Sequence, residues 1–189
     1  MTAAAVVLAA GAGARFTGSG GPGPKQLASV AGKALVELAL EAARGAGLDE
    51  VVLVEGAVDL SGHAGGATLL RNPRWEEGLA TSLQVALAHA RAEGHDAVVV
   101  GPSDQPGVGA DAWAAVAAAP PEPPIAVATY DGRRANPVRL HHTVWDLLPV
   151  TGDAGARTLI NDRPDLVREL RCTGDPHDVD TMEDLERWS

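Results

Sequence analysis

The sequence has little cysteine, few aromatic side chains and no excess of positive charge. Its single cysteine, Cys172, excludes a disulfide within the chain and fits a reducing cytoplasm. Aromatic residues make up 3% of the chain, so the core must be built from alanine, valine and leucine. The formal net charge of -10 at pH 7 argues against a general attraction to nucleic acid or to an anionic membrane.

Long apolar runs are also missing. No run approaches the roughly 20 residues that a membrane-spanning helix needs. The first 13 residues carry no basic residue, and their apolar run ends in glycine, which predicts a first strand and not a signal peptide. We therefore expect a cytoplasmic protein that binds neither nucleic acid nor membrane. The length of 189 residues suits one domain over residues 1–189.

Strand-like apolar runs alternate with helical patterns along the chain. The strand-like runs lie at 4–10, 50–56, 67–72, 96–102, 124–130 and 136–141. Apolar residues at helical spacing predict helices at 34–47, 78–94, 110–119 and 181–188. This alternation predicts an α/β fold, with a mostly parallel sheet covered by helices on both faces. In such a sheet, ligands bind beyond the carboxyl ends of the strands.

A glycine-rich segment follows the first predicted strand. The dinucleotide fingerprint fails because Phe16 stands where its third glycine belongs, and the Walker pattern fails because Gln26 follows Lys25. A glycine-rich turn still lets the backbone approach phosphates closely. Arg15 and Lys25 would add the charge that neutralises a triphosphate. A surface loop with two solvated cations is an equal alternative.

Acidic residues follow the fourth predicted strand and precede the last helix. Asp104 comes directly after the strand, and Asp178 and Asp180 lie before the helix. A pair formed with Asp104 would hold Mg²⁺, which keeps several waters and phosphate oxygens in its shell. A turn aspartate and helix-capping carboxylates are the simpler alternatives. The helix starts at Ser82 and Arg157 could each accept an anion, although each alone is more often an ordinary cap.

Six stretches, taken together, resemble a known family. They are "LAAGAGARF…K", "NPRWEEGLATSL", "DQP", "NPVRL", "GDAGARTLI" and "DVDTMEDL". In this order they resemble the molybdenum-cofactor nucleotidyltransferases, the MobA/MocA-like NTP transferases, over nearly the whole chain. The "LAAG" and "GDAGAR" stretches are more similar to the cytidylyltransferase branch than to the guanylyltransferase branch.

The resemblance implies a Rossmann-like nucleotidyltransferase fold and a set of site residues. The implied nucleotide-binding residues are Leu8, Ala9, Ala10, Gly11, Ala12, Gly13, Lys25, Ser82 and Asp104. Arg15, Lys25 and Asp104 would be catalytic. Asp104 and Asp180 would bind Mg²⁺, with Asp178 as the less favoured second ligand. Arg133 and Arg134, which fit a hairpin turn first, and Arg157 are the candidates for contact with the acceptor.

The implied reaction is the transfer of a nucleoside monophosphate with release of pyrophosphate. CMP from CTP is favoured, and molybdopterin or the molybdenum cofactor is the implied acceptor. GTP as donor, another phosphorylated acceptor such as a phospholactate or a sugar phosphate, and a non-catalytic protein that delivers cofactor are the alternatives. A molybdoenzyme or a chaperone is the implied protein partner. The segment between Arg15 and Lys25 is longer and richer in glycine than the family pattern, which predicts a lid over 16–24 that is disordered without ligand.

Overall fold

The computed structural model describes residues 1–188 and is built around a seven-stranded sheet. The strands are β1 (Ala3–Leu8), β2 (Ser29–Val30), β3 (Lys33–Ala34), β4 (Glu50–Glu55), β5 (Thr68–Arg71), β6 (Ala97–Pro102), β7 (Ile125–Tyr130), β8 (Arg133–His141) and β9 (Val167–Arg171). The sheet order is β5-β4-β1-β6-β8-β7-β9, and β2 and β3 form a separate hairpin. Strand β8 is antiparallel to its neighbours β6 and β7, and the other neighbouring pairs are parallel.

Helices cover both faces of this sheet. They are α1 (Ala14–Gly18), α2 (Leu35–Gly45), α3 (Leu79–Ala92), α4 (Ala110–Ala117), α5 (Arg157–Asp162) and α6 (Met182–Glu186). Helix α3 belongs to the apolar cluster that contains Val6 of β1, and helices α2 and α4 belong to the cluster that contains Val7. Successive residues of a strand point to opposite faces, so the predicted mostly parallel sheet with helices on both sides is confirmed. Among residues 1–188, no helix has the length and apolarity needed to cross a membrane.

The edge strand β9 was not predicted from the sequence. Its residues read "VRELR", and three of the five carry charge. The strand pairs with β7 on one side and borders the sheet on the other. An edge strand is only half covered, so it does not show the continuous apolar run that marks β1, β4 and β6.

The hairpin between β7 and β8 corrects the predicted position of the turn. The turn residues are Asp131 and Gly132, with φ of 50° and 77°. Positive φ at both central positions is the geometry that matches the twist of a two-residue hairpin. Arg133 and Arg134 therefore begin strand β8 and do not form the turn.

The segment that follows Arg15 is anchored, unlike the disordered lid expected over 16–24. Phe16, in helix α1, is 1% exposed and shares an apolar cluster with Val30, Leu35 and Val179. A Cβ atom at Gly21 would clash with the Phe16 ring, so the chain folds closely over this side chain. The buried aromatic ring holds the first part of the segment against the rest of the molecule.

Candidate active site

A cleft of about 290 Å³ opens at the carboxyl ends of β1 and β6. This is the edge where a parallel sheet binds its ligands. The cleft is lined by Leu8, Ala9, Gly11, Gly13, Ala14, Arg15, Phe16, Lys25, Gln26, Ser103 and Asp180. The structure therefore brings the glycine-rich turn, both cations and one of the two implied metal ligands to one place.

Residues 10–13 form the glycine turn of this cleft, and Gly11 and Gly13 line it. Within residues 1–188, none of their N–H groups donates to a backbone carbonyl. Gly13 adopts φ of 65°, and a Cβ atom there would lie 2.8 Å from the Cβ of Lys25. Glycine is thus needed for both the left-handed backbone and the close approach. Unpaired N–H groups in a glycine turn suit a phosphate.

The side chain of Gln26 is hydrogen-bonded to the backbone of this turn. Gln26 was not predicted from the sequence to be a functional residue. Its side chain is 3% exposed, and its Nε2 donates to the carbonyls of Ala9, at 3.0 Å, and of Gly11. The carbonyl and the next N–H of a trans peptide point in opposite directions. These two bonds therefore direct the N–H groups of Ala10 and Ala12 away from Gln26. The one sequence signal was a polar residue directly after Lys25.

Two cations and two carboxylates form one ion-pair network at the cleft. The Nζ of Lys25 lies 2.6 Å from Oδ2 of Asp104 and 3.0 Å from Oδ1 of Asp180. The Nη1 of Arg15 lies 2.8 Å from Oδ2 of Asp180. All four side chains were predicted to act on one triphosphate and its metal ion. The structure brings the four side chains together and pairs the cations with the carboxylates, and their roles stay a prediction.

Backbone contacts bring Asp104 and Asp180 to the same place. The N–H of Val179 donates to the carbonyl of Asp104 at 2.8 Å, so the segment before α6 lies beside the end of β6. The N–H of Ser103 donates to the carbonyl of Leu8 at 3.1 Å and ties the same turn to β1. Thr181 then caps α6 by accepting from the N–H of Asp184.

Burial and the charges in the cleft shift the pKa values of Lys25 and Asp178, and both values rise. Burial lowers the pKa of Lys25, but the charges and hydrogen bonds of Asp104 and Asp180 outweigh it and raise the pKa above its usual value. Lys25 is therefore a cation at neutral pH. Burial, with the charge of Asp104, raises the pKa of Asp178. Asp178 accepts from Nε2 of Gln105 at 2.8 Å, whereas Asp180 shares Lys25 with Asp104.

The two carboxylates fit a divalent cation with few protein ligands. Asp104 and Asp180 already converge on one cationic atom, the Nζ of Lys25. Asp104 Oδ1 is buried and has no hydrogen-bond partner in the described part of the chain. Residues 1–188 contain no group of three or more His, Cys, Asp or Glu side chains that could hold a metal ion. A cation bound by two carboxylates completes its shell with water and phosphate oxygens, as Mg²⁺ does.

Ser82 lies apart from this ion-pair network. It is buried in α3, and its Oγ accepts from Nδ2 of Asn72 at 2.9 Å, as does Oγ1 of Thr81. The start of α3 is also held by the loop before α5, because the N–H of Ala80 donates to the carbonyl of Gly152 at 2.9 Å. Within residues 1–188, the cleft lining does not include Ser82. Its contact with the nucleotide stays a prediction.

The three arginines suggested for the acceptor lie on the surface. Arg133 and Arg157 are exposed. The Nε of Arg134 forms an ion pair at 2.7 Å with Oε1 of Glu169 in strand β9, on the far side of β7. The structure does not join these arginines into one group, and their role in acceptor binding stays a prediction.

Comparison with known proteins decides the family. The model of the MobA-like NTP transferase domain matches residues 5–168. The chain belongs to this family. The match includes the glycine-rich turn, Lys25 and Asp104, and it ends before Asp180. The resemblance stated from the six sequence stretches is confirmed, and the protein is an enzyme of the nucleotidyltransferase class.

Individual relatives of this MobA-like transferase span nearly the whole chain. Nicotine blue oxidoreductase of Paenarthrobacter nicotinovorans is 32% identical, over 96% of this chain and 94% of its own. Rv0371c of Mycobacterium tuberculosis H37Rv is 30% identical, with a TM-score of 0.80 over 99% of this chain and 97% of its own. A further structure of Rv0371c is a complex with manganese.

A more distant structure shares the fold. The inositol-1-phosphate CTP transferase of T. maritima is 17% identical, with a TM-score of 0.73 over 97% of this chain and 91% of its own. At this identity the likeness shows the Rossmann-like nucleotidyltransferase fold. These relatives show the fold, and the manganese complex of Rv0371c shows a divalent cation in a homologue.

Proposed function

We propose that this protein transfers CMP from CTP to a phosphorylated acceptor, with molybdopterin or the molybdenum cofactor as the favoured acceptor, and releases pyrophosphate. The observation that carries this proposal is the network of Asp104, Asp180, Lys25 and Arg15 beside unpaired backbone donors. The choice of CTP is supported by the "LAAG" and "GDAGAR" stretches. It is also supported by analogy with the CTP transferase that shares the fold.

The residues at the cleft divide the work of binding a triphosphate. The N–H groups of residues 10–13 bind phosphate oxygens, while Arg15 and Lys25 neutralise their charge. An oxygen of the acceptor phosphate forms a bond to the α-phosphorus of the nucleotide. The bond from the α-phosphorus to the bridging oxygen breaks, and its electron pair leaves with pyrophosphate. A phosphate nucleophile is ionised at neutral pH, so catalysis depends on positioning and charge stabilisation.

Asp104 and Asp180 are the residues that would hold Mg²⁺. When bound, the ion neutralises triphosphate charge and orients the reacting groups. The unpartnered Oδ1 of Asp104 supports this role, and the manganese complex of Rv0371c supports a divalent cation. We place the reaction in the cytoplasm, with a molybdoenzyme or its chaperone as the recipient of the product.

Pyrophosphate release tests the proposal. The purified protein is incubated with Mg²⁺, each of the four NTPs, and molybdopterin, a phospholactate or a sugar phosphate as acceptor. We expect release with CTP and the pterin acceptor. Release with GTP alone would contradict the cytidyl assignment, and release with another acceptor would replace the pterin. If no NTP supports release, a non-catalytic role in cofactor delivery becomes the better explanation.

One observation favours a second candidate activity. The relative that is 32% identical over 96% of the chain is named an oxidoreductase that acts on nicotine blue. The test is loss of nicotine blue absorbance with NADH or NADPH, in the same protein preparation that is assayed for pyrophosphate release. The paired carboxylates beside the cations favour the transferase, since reduction of a dye needs no triphosphate site.

A further inference from the structure

Lys25 stands between the two carboxylates proposed to bind the divalent cation. Its Nζ contacts Oδ2 of Asp104 at 2.6 Å and Oδ1 of Asp180 at 3.0 Å. Arg15 contacts the other oxygen of Asp180 at 2.8 Å. Three of the four carboxylate oxygens are therefore in ion pairs. The remaining one, Asp104 Oδ1, has no partner within residues 1–188.

The charges of this network are already balanced. Lys25 and Arg15 carry two positive charges, and Asp104 and Asp180 carry two negative charges. A divalent cation added to these carboxylates would face the ammonium group of Lys25 across the same oxygens. Like charges at such separations repel strongly inside a protein, where the effective dielectric constant is far below that of water. The Lys25 side chain is 14% exposed, so solvent screens little of this repulsion.

We propose that Lys25 competes with the divalent cation for Asp104 and Asp180, so that the cation binds tightly only when an anion draws Lys25 away. The triphosphate is the anion that the cleft would accept, so the inference rests on the proposed function for the identity of that anion. Lys25 then has two successive partners in one cleft: the carboxylates before the cation binds, and phosphate oxygens afterwards. Arg15, which contacts Asp180 alone, competes more weakly.

Titration with Mn²⁺ alone tests this competition without any nucleotide. The binding constant is measured by calorimetry and by the electron paramagnetic resonance signal of free Mn²⁺. We expect Lys25→Met to bind Mn²⁺ at least about tenfold more tightly than the unaltered protein. Lys33→Met is the matched control, because Lys33 forms an exposed pair with Glu41, at 2.8 Å, away from the cleft. Its Mn²⁺ affinity should be unchanged.

Arg15→Met provides a second variant that keeps its fold. The Arg15 side chain is 78% exposed, so its removal leaves the core untouched. We expect a smaller gain in Mn²⁺ affinity, because this variant loses only the ion pair between Arg15 and Asp180, while Lys25 still contacts both carboxylates. If circular dichroism shows that Lys25→Met is unfolded, Arg15→Met decides the question. Unchanged or weaker Mn²⁺ binding by the folded variants, or no Mn²⁺ binding by any of them, overturns the proposal.

The two proposals fail in distinguishable ways. Tighter Mn²⁺ binding by Lys25→Met with no pyrophosphate release from any NTP would uphold the competition and remove the transferase assignment. Pyrophosphate release from CTP with no gain in Mn²⁺ affinity would uphold the transferase and remove the competition. The variant that gains metal affinity should also lose turnover, because Lys25 is needed on the phosphates.

Discussion

Carboxylates are partly buried at both ends of the parallel strands, and their surroundings differ. At the amino end, Glu50 opens β4. It accepts from Oγ1 of Thr68 at 2.6 Å, and the Nε2 atoms of His89 and His95 each lie 2.9 Å from its carboxylate. At the carboxyl end, Asp104 keeps an oxygen that has no partner among the described residues. Both oxygens of Glu50 are hydrogen-bonded by its neighbours, whereas only one oxygen of Asp104 is.

This difference separates a structural cluster from a binding site. Burial raises the pKa of Glu50, but its bonds from Thr68, His89 and His95 outweigh it and lower the pKa to about 2. These three neighbours thus stabilise the charge of Glu50, and neither of its oxygens is left without a partner, although the Nδ1 of His95 is itself buried and unpartnered among the described residues. In the cleft, burial, with the charges of Asp104 and Asp180, raises the pKa of Asp178. A carboxyl group with a perturbed pKa beside one with an unpartnered oxygen marks a candidate binding site.

The largest expected effect comes from Asp104→Asn. The substitution keeps the shape of the side chain and removes the charge that would bind the cation. We expect pyrophosphate release to fall about a thousandfold or more, since groups that stabilise charge in the transition state contribute at this scale. The urea midpoint should change little, because Asn still accepts from Lys25. Activity close to that of the unaltered protein would remove Asp104 from the catalytic site.

Glu50→Gln, at the amino end of the strands, should lower the stability of the protein and leave its activity unchanged. The variant loses a charge that three neighbours hydrogen-bond, so we expect the free energy of unfolding to fall by about 2 kcal/mol. Pyrophosphate release measured well below the unfolding temperature should be unchanged. Glu41→Gln, which alters an exposed pair with Lys33, is the control and should show little loss of stability. A loss of activity without loss of stability would mean that the two regions are coupled.

Lowering the pH tests how much the charge of Glu50 stabilises the folded protein. The folded pKa of Glu50, about 2, lies below the ordinary value of 4.5. Its charge therefore stabilises the folded protein above about pH 4.5, and this stabilisation disappears as the pH falls from 4.5 towards 2. Urea unfolding of the unaltered protein and of Glu50→Gln at pH 7 and pH 3 measures it. We expect the gap between their stabilities to narrow at pH 3. An equal gap at both values would show that Glu50 is not the titrating group.

The sequence predicts the centre of the fold well and its edges poorly. Strands β1, β4 and β6 are visible as apolar runs because parallel strands are covered on both faces. Helix α1 is hidden, because five residues between glycines carry no helical period. The helix is anchored by Phe16, whose burial depends on Val30, Leu35 and Val179. Contacts of this kind join distant parts of the chain and leave no local pattern.

The candidate site also has features that the sequence predicts and features that it does not. Asp104 and Lys25 stand out as charged residues at the ends of apolar or glycine-rich stretches. Their direct pairing could not be predicted, because the ends of β6 and β1 are brought together by the backbone bond from Ser103 to Leu8, between residues far apart in the chain. Gln26 was missed because its partners are the carbonyls of Ala9 and Gly11, and backbone carbonyls have no signature in a sequence. Side chains that act on other side chains are easier to find than side chains that shape the backbone.

The smallest effect we expect comes from Gln26→Leu, which tests that last point. Leucine is similar in size, and it removes both donors to the carbonyls of Ala9 and Gly11. The turn then loses the bonds that direct its N–H groups, so we expect the KM for the nucleotide to rise about tenfold, with a smaller change in kcat. Gln105→Leu is the matched control, because Gln105 is similarly buried but bonds Asp178 and Pro176. If both variants raise KM equally, loss of a buried amide is enough, and Gln26 does not act through the turn.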